Sequence, residues 1–119
     1  MNQPLNRILV FLPSYNDREL LLTLTTQILM QGENFQPLVI DDGSRYPIRN
    51  DEVAVGTLLT RVPANFGLGM ATHIAFDHAI AFGYSAIARI DADGQHPVEM
   101  LKEIVSPILD GTADIVVAE

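Results

Sequence analysis

The chain has 119 residues, fifteen acidic and seven basic side chains, and no cysteine. This length suits one domain with a buried core, and the missing thiols exclude a disulfide framework, a zinc–thiolate site and a cysteine nucleophile. The net charge of −8 makes nucleic acid and anionic membranes poor partners and favours a divalent cation. Hydrophobic residues at 48% exclude disorder. Because no membrane-span run or signal-peptide pattern occurs, we expect a soluble, cytoplasmic single domain over residues 1–119.

The first part of the chain predicts a strand and a helix. Residues 8–12 form an apolar run, typical of a strand buried on both faces, and Pro13 is expected to end it. A helix is expected to begin near Asp17, with Asn16 as its N-cap, and to end at Gly32. The predicted apolar stripe of this helix consists of Leu20, Leu21, Leu24 and Ile28.

Two more strands and a second helix are predicted in the middle of the chain. Strands are expected at 38–40 and 58–62, with a polar loop containing one helical turn over 45–56. A helix of about fourteen residues then follows a glycine-rich entry and ends at Gly83.

The last part predicts two strands around a third helix. The strands are expected at 86–90 and 114–118. The helix is expected to have Pro97 in its first turn and an end or a kink at Pro107. Its predicted apolar face consists of Met100, Leu101, Ile104 and Ile108.

This alternation of strands and helices predicts an α/β fold of about five strands in a mostly parallel sheet, with right-handed crossovers and helices on both faces. In such sheets ligands bind beyond the carboxyl ends of the strands. Polar clusters follow the first four predicted strands, at residues 13–16, 41–44, 65–69 and 91–95. We therefore expect a ligand site at this edge, assembled from four separate segments.

The acidic pair after the fourth strand is a candidate metal site. Asp91 and Asp93 lie two residues apart, and such close carboxylates repel unless a cation or a proton lies between them. Gln95 adds a neutral oxygen, so the set suits Mg²⁺ or Mn²⁺. The alternative is an acidic turn that caps the following helix.

The other clusters offer groups for an organic ligand. Asp41 or Asp42 could accept hydrogen bonds from a nucleobase or a ribose, or could hold an Asx turn at Gly43. Gly67 and Gly69 could let a phosphate approach backbone N–H groups, or could serve close packing.

The histidines and serines carry weaker indications. His78 shares a helix face with Ala71, Ile74, Ala75 and Phe82, which favours a core or boundary position. His73 lies on the opposite side and could point to the ligand edge, and His96 either contacts a phosphate or a metal or caps a helix. Ser14 and Ser44 have no histidine at a spacing that would indicate a catalytic triad.

The four segments PSYN (13–16), DDGS (41–44), NFGLG (65–69) and DADGQHP (91–97) occur in the order of a known family. In these motifs the chain resembles, from residue 7 to 119, the nucleotide-binding half of family 2 glycosyltransferases with the Rossmann-like, three-layer GT-A fold. The last motif is most similar to the branch of dolichyl- and polyprenyl-phosphate sugar synthases.

The resemblance implies an inverting transfer of a sugar from a UDP- or GDP-linked donor to an acceptor hydroxyl or lipid phosphate, with Mg²⁺ or Mn²⁺. It implies a metal site at Asp91, Asp93 and Gln95, and a general base beyond Glu119. The residues that it implies for the nucleotide sugar are Pro13, Tyr15, Asn16, Asp17, Asp41, Asp42, Asn65, Gly67, Gly69, Asp91 and Ala92.

Departures from the family pattern leave alternatives open. Asp17 stands where the family usually has Glu, and His73 where it often has Arg, so a phosphate contact there becomes pH-dependent. Family members also continue well beyond this length, so the chain could be a non-catalytic nucleotide-binding or assembly module. Phe76 and Ile80 lie opposite the buried stripe of their helix, and we expect a C-terminal half or a second copy to cover them. A parent protein would act at the cytoplasmic face of a membrane.

A phosphoacceptor receiver domain is also acidic, α/β and of this size, but the sequence suits it poorly. A receiver needs its acidic pair after the first strand and a lysine at the end of a later strand. Here the pair follows the second strand, and Lys102 falls within a predicted helix.

Overall fold

The computed structural model describes residues 6–94 and 98–110, which form a four-stranded sheet with helices on both faces. The strands are β1 (Ile8–Ser14), β2 (Phe35–Asp42), β3 (Leu58–Val62) and β4 (Ala86–Arg89). The helices are α1 (Leu21–Met30), α2 (Leu68–Phe82) and α3 (Leu101–Leu109). Single 3-10 turns occur at Asn50–Glu52 and Val98–Met100. The α/β alternation is therefore confirmed, including the helical turn between β2 and β3.

All four described strands are parallel, in the order β3-β2-β1-β4. Parallel neighbours must be joined by crossovers, so the carboxyl ends of the strands all reach the same edge of the sheet. The fifth strand, predicted at 114–118, lies outside the described residues, and so do Gln95, His96 and Pro97.

Alternating side chains of the strands build two apolar layers. Ile8, Val10 and Leu12 of β1 face α1 and α3, whereas Leu9 and Phe11 face α2. Each of these five residues is at most 4% exposed. A fully buried Leu or Ile contributes about 1.5–3 kcal/mol, so this central strand supplies much of the stability on both faces.

β1 runs through Pro13, which corrects the expectation that this residue ends the strand. Pro13 pairs with Ile40 of β2, and β1 ends only at Ser14. On the other side of β1, the pairing with β4 ends at Phe11, whose carbonyl accepts Ile90 N–H. β4 therefore does not extend alongside Pro13. The missing N–H of Pro13 therefore faces an open edge, where a proline breaks no ladder bond.

α1 begins four residues later than predicted, at Leu21, with no side-chain cap. Asn16 does not cap it, because Asn16 has the left-handed φ of 54° and its side chain is bonded elsewhere. Asp17 therefore lies in the irregular segment before the helix, not in its first turn. Leu20 precedes the helix and is 40% exposed, so it does not belong to the buried stripe.

α2 ends at Gly83 as predicted, with Gly83 in the left-handed conformation. Its buried stripe is made of small residues, Ala71, Ala75 and Ala79. Phe82 was expected on this face but is 62% exposed, because it lies in the last turn beyond the sheet. Phe76 and Ile80 are exposed, and their cover by another half or a second copy stays a prediction.

α3 continues past Pro107 to Leu109, so the helix does not end at the proline. Asp110 N–H donates to Ser106 O at 3.0 Å, so the helical hydrogen-bond pattern resumes beyond Pro107. Met100 is 41% exposed, since it lies in the preceding 3-10 turn, and does not join the buried face. Among the described helices the longest has fifteen residues, and none is long and apolar enough to span a bilayer.

Candidate functional site

The four polar segments lie where the sequence predicts them, at the carboxyl ends of the strands. Residues 13–16 close β1, 41–44 close β2, 65–69 connect β3 to α2, and 91–94 follow β4. Since β2, β1 and β4 are consecutive in the sheet, three of these segments are neighbours along one edge. Hydrogen bonds show how they are joined.

Asp41 is a buried structural carboxylate that organises the turn after β2. Its Oδ1 accepts Ser44 N–H at 2.9 Å, and its Oδ2 accepts Ile48 N–H at 2.9 Å. The same Oδ2 accepts a charged hydrogen bond from Nη1 of Arg61 at 2.8 Å, although Asp41 is only 1% exposed. These bonds pair the buried charge, as a carboxylate at this depth requires.

The hydrogen bonds of Asp41 make stability depend on pH. Burial alone raises the pKa of this carboxyl, but the bonds from Ile48, Ser44 and Arg61 lower the pKa below its ordinary value of 3.8. The stabilisation is therefore complete above that value and is lost as the pH falls through the folded-state pKa. We expect Asp41→Asn to flatten the acid limb of a plot of urea midpoint against pH. An equally steep acid limb in the variant would contradict this role.

Asp42 fixes the loop between β3 and α2. Its Oδ1 accepts Phe66 N–H and its Oδ2 accepts Gly67 N–H, each at 2.9 Å. The adjacent Gly43 has a φ of 74°, and a Cβ there would lie 2.3 Å from the carbonyl carbon of Ala64. Gly43 therefore allows the turn after β2 to touch the backbone of the loop, and Asp42 secures that contact.

The segment after β1 is held against the same turn. Asn16 N–H donates to Ser44 Oγ at 2.9 Å, and Asn16 Oδ1 accepts Arg45 N–H at 2.8 Å. The Ser14 hydroxyl donates to the carbonyl of Asp17. Tyr15 stands out from this anchored backbone with 48% of its surface exposed, and Pro13 beside it is half-buried. An exposed aromatic ring on a fixed backbone is suited to contact a planar ligand.

The acidic pair lies beyond β4. Nε of Arg89 is 3.4 Å from Oδ1 of Asp91, and both side chains are 41% exposed. Asp93 is exposed, whereas Ala92 between them is buried in the core. In residues 6–94 and 98–110, no three His, Asp or Glu side chains are grouped closely enough to hold a metal by themselves.

Both histidines that the structure describes, His73 and His78, lie on α2. His73 lies 3.2 Å from Asp77, one turn along α2, and is 70% exposed. His78 is half-buried, and its ring stacks 4.6 Å from Phe82 and 5.7 Å from Tyr84, as expected for a boundary residue.

Comparison with known proteins identifies the family of this chain. The sequence profile named "Glycosyl transferase family 2" matches residues 9–119. The chain belongs to this family. All four polar segments lie within the residues that the glycosyltransferase family 2 profile matches.

Two curated relatives belong to the branch that the motifs indicate. Polyprenol monophosphomannose synthase of Mycolicibacterium smegmatis is 31% identical over 97% of this chain and 45% of its own length. Dolichol-phosphate mannosyltransferase of Pyrococcus furiosus is 32% identical over 89% of this chain and 31% of its own length. The family 2 chain described here thus spans less than half the length of these relatives.

The fold also matches a solved glycosyltransferase. The crystal structure of S. aureus TarS 1–349 superposes with a TM-score of 0.61, at 19% identity, over 87% of this chain and 32% of that one. The four-stranded parallel sheet is therefore a GT-A-type fold, as predicted.

Arg61 is the residue of this family 2 site that sequence reasoning missed. It belongs to β3 and pairs in register with Asp41 of β2. A charged residue inside a largely apolar strand, opposite an acidic residue, was the available indication of an ion pair.

Proposed function

We propose that the chain forms the donor-binding part of a glycosyltransferase that moves a sugar from a nucleoside diphosphate to a polyprenyl or dolichyl phosphate. The observation that carries this proposal is the convergence of four family 2 segments on the carboxyl edge of one parallel sheet. The names of both relatives, which refer to lipid-phosphate sugar transfer, support the acceptor class.

The nucleoside is proposed to lie at the ends of β1 and β2. Tyr15 offers its exposed ring, while Pro13, Asn16 and Asp17 shape the surface beside it. Asp42 is 6% exposed and already binds two N–H groups, yet a carboxylate has about four acceptor positions and two of them are left for a base or ribose donor. Asp41, at 1% exposure, contributes by holding the turn.

The diphosphate is proposed to lie between the loop 65–69 and the segment 91–94. Asn65 is exposed, and a Cβ on Gly67 or Gly69 would meet no atom within 4 Å, so a ligand can approach the backbone there. On the opposite side Asp91 and Ala92 border the same edge.

The residues of the acidic pair fit a hard divalent cation. Asp91 and Asp93 provide carboxylate oxygens, the ligand type of Mg²⁺ and Mn²⁺, and Gln95 would add an amide oxygen. With few protein ligands, coordination positions are left for diphosphate oxygens. When bound, the ion would neutralise the charge of the departing nucleoside diphosphate.

The transfer is proposed to proceed with inversion in one displacement. An acceptor oxygen forms a bond to the anomeric carbon while the bond from that carbon to the diphosphate oxygen breaks. A lipid phosphate is largely ionised at neutral pH, because its second pKa is about 6, and so supplies an anionic nucleophile without a strong general base. An acceptor hydroxyl, in contrast, needs a base to take its proton.

We expect calorimetric titration of the 119-residue chain to show binding of UDP or GDP that is at least about tenfold tighter with Mn²⁺ than with chelator, since an ion held by Asp91 and Asp93 would offset the charge of the diphosphate. Titration of ADP with Mn²⁺ is the control for selectivity towards the nucleobase. Binding that is unchanged by chelator would argue against the metal, and binding of none of the three would refute the donor site. Metal-dependent binding without turnover of a UDP- or GDP-linked sugar would favour a non-catalytic module.

A further inference from the structure

The strand β3 contributes one charged side chain to the nucleoside end of the site. Nη1 of Arg61 donates to Asp41 Oδ2 at 2.8 Å, and Nη2 donates to the carbonyl of Ser44 at 3.0 Å. The guanidinium of Arg61 therefore binds both ends of the turn after β2: the Asp41 side chain at its start and the Ser44 carbonyl at its end. A lysine at this position cannot make both hydrogen bonds in the same geometry, because its ammonium is a compact point charge without the planar donor array of a guanidinium.

Ser44 passes this constraint on to the segment after β1. Ser44 is 1% exposed; its N–H donates to Asp41, its carbonyl accepts from Arg61, and its Oγ accepts Asn16 N–H at 2.9 Å. A shift of Ser44 therefore removes the partner of the Asn16 amide. A continuous set of hydrogen bonds thus joins β3, β2 and the loop after β1.

Asn16 is sensitive to such a shift because its backbone is in the left-handed region, with a φ of 54°. This conformation costs roughly 1 kcal/mol for a residue with a side chain, even though Asn tolerates it best. The bonds to Ser44 Oγ and Arg45 N–H hold it in place. The direction of the neighbouring Tyr15 depends on that backbone.

We propose that Arg61 is a positioning residue for the nucleoside end of the donor site, acting through Asp41 and Ser44 on the backbone that presents Tyr15. This inference rests on the proposed function for the ligand, but the coupling it describes is a property of the chain itself. Arg61 contacts no ligand in this account. We expect its effect at the nucleoside rather than at the diphosphate, since Phe66 and Gly67 of the loop 65–69 have their own hydrogen bonds to Asp42.

The test compares Arg61→Met with Arg49→Met, which removes an arginine paired with Asp51 at 2.9 Å but 71% exposed and outside this network. Calorimetry with Mn²⁺ measures UDP or GDP, whichever the parent chain binds, and inorganic pyrophosphate. We expect Arg61→Met to weaken nucleotide binding about tenfold, because it removes the guanidinium that pairs with the buried Asp41 carboxylate and donates to the Ser44 carbonyl, and to leave pyrophosphate binding unchanged. Arg49→Met should change neither.

Two further variants keep the test decisive if Arg61→Met is too unstable. Arg61→Lys retains the charge and should still weaken nucleotide binding, and Ser44→Ala removes the acceptor for Asn16 N–H together with the side-chain hydrogen bond to Asp41 and should do the same. Unchanged nucleotide affinity in all three variants, or an equal loss of pyrophosphate affinity, would overturn the proposal.

Amide hydrogen exchange separates this inference from the proposed function. Exchange at Asn16 N–H should be faster in Arg61→Lys than in the parent chain, while Phe66 and Gly67 N–H keep their protection by Asp42. If the parent chain binds no nucleotide, the proposed function fails, but this exchange pattern still supports the coupling. Equal acceleration at all three amides, or none at Asn16, would overturn it.

Discussion

Asp93→Asn is expected to abolish the metal-dependent part of UDP or GDP binding, a loss of at least about tenfold, and to leave the fold intact. Asp93 is exposed, so an amide of the same shape removes charge without creating a cavity. The remaining Asp91 lies beside Arg89, whose positive charge opposes a cation. Calorimetry with and without Mn²⁺, together with thermal unfolding by circular dichroism, measures both effects.

Asp77→Asn is the matched control for this substitution. Asp77 is also an exposed carboxylate, 66% accessible and paired with His73 on α2, and it lies outside the carboxyl-edge segments. We expect the control to bind nucleotide and Mn²⁺ like the parent chain. If Asp93→Asn kept its Mn²⁺-dependent affinity, the acidic pair would be an ordinary turn rather than a metal site.

Gly43→Ala is expected to destabilise the domain by about 3 kcal/mol, the sum of a left-handed backbone penalty and an overpacking penalty. The added Cβ would lie 2.3 Å from the carbonyl carbon of Ala64 and 2.6 Å from the nitrogen of Asn65. Both are backbone atoms and cannot rotate away. The loop held by Asp42 would have to move, so nucleotide binding should weaken as well. Urea unfolding followed by circular dichroism gives the free energy.

Gly83→Ala separates the two penalties, because Gly83 has nearly the same φ, 73° against 74°, and its added Cβ would meet nothing within 4 Å. We expect this variant to lose only about 1 kcal/mol, the cost of the left-handed backbone. Equal losses for the two alanine variants would mean that the contact between Gly43 and the loop 64–65 is unimportant.

The parts of the fold that the sequence predicts well are those that depend on local pattern. The bounds of β3 follow from an apolar run that Pro63 closes, and the end of α2 follows from Gly83. The position of the site follows from topology, since polar residues after parallel strands must meet at one edge.

The parts that it misses depend on contacts between distant segments. Asn16 is a good N-cap by residue type, but its side chain bonds Arg45 N–H, twenty-nine positions away. Pro13 continues β1 only because β4 stops earlier beside it. Arg61 and Asp41 are twenty positions apart, and only the strand register brings them together. Residue propensities and hydrophobic periodicity within one segment cannot predict these contacts between distant segments.

The central position of β1 has a consequence for how the chain folds. β1 pairs with β2 on one side and, across the whole of α2, with β4 on the other, where Ile8 meets Ala86. During synthesis the apolar strand keeps one unpaired edge until β4 has left the ribosome, and parallel pairs of this separation form slowly. An exposed apolar edge is a template for misassembly. The nascent chain is therefore most vulnerable to aggregation in the interval between completion of β2 and completion of β4.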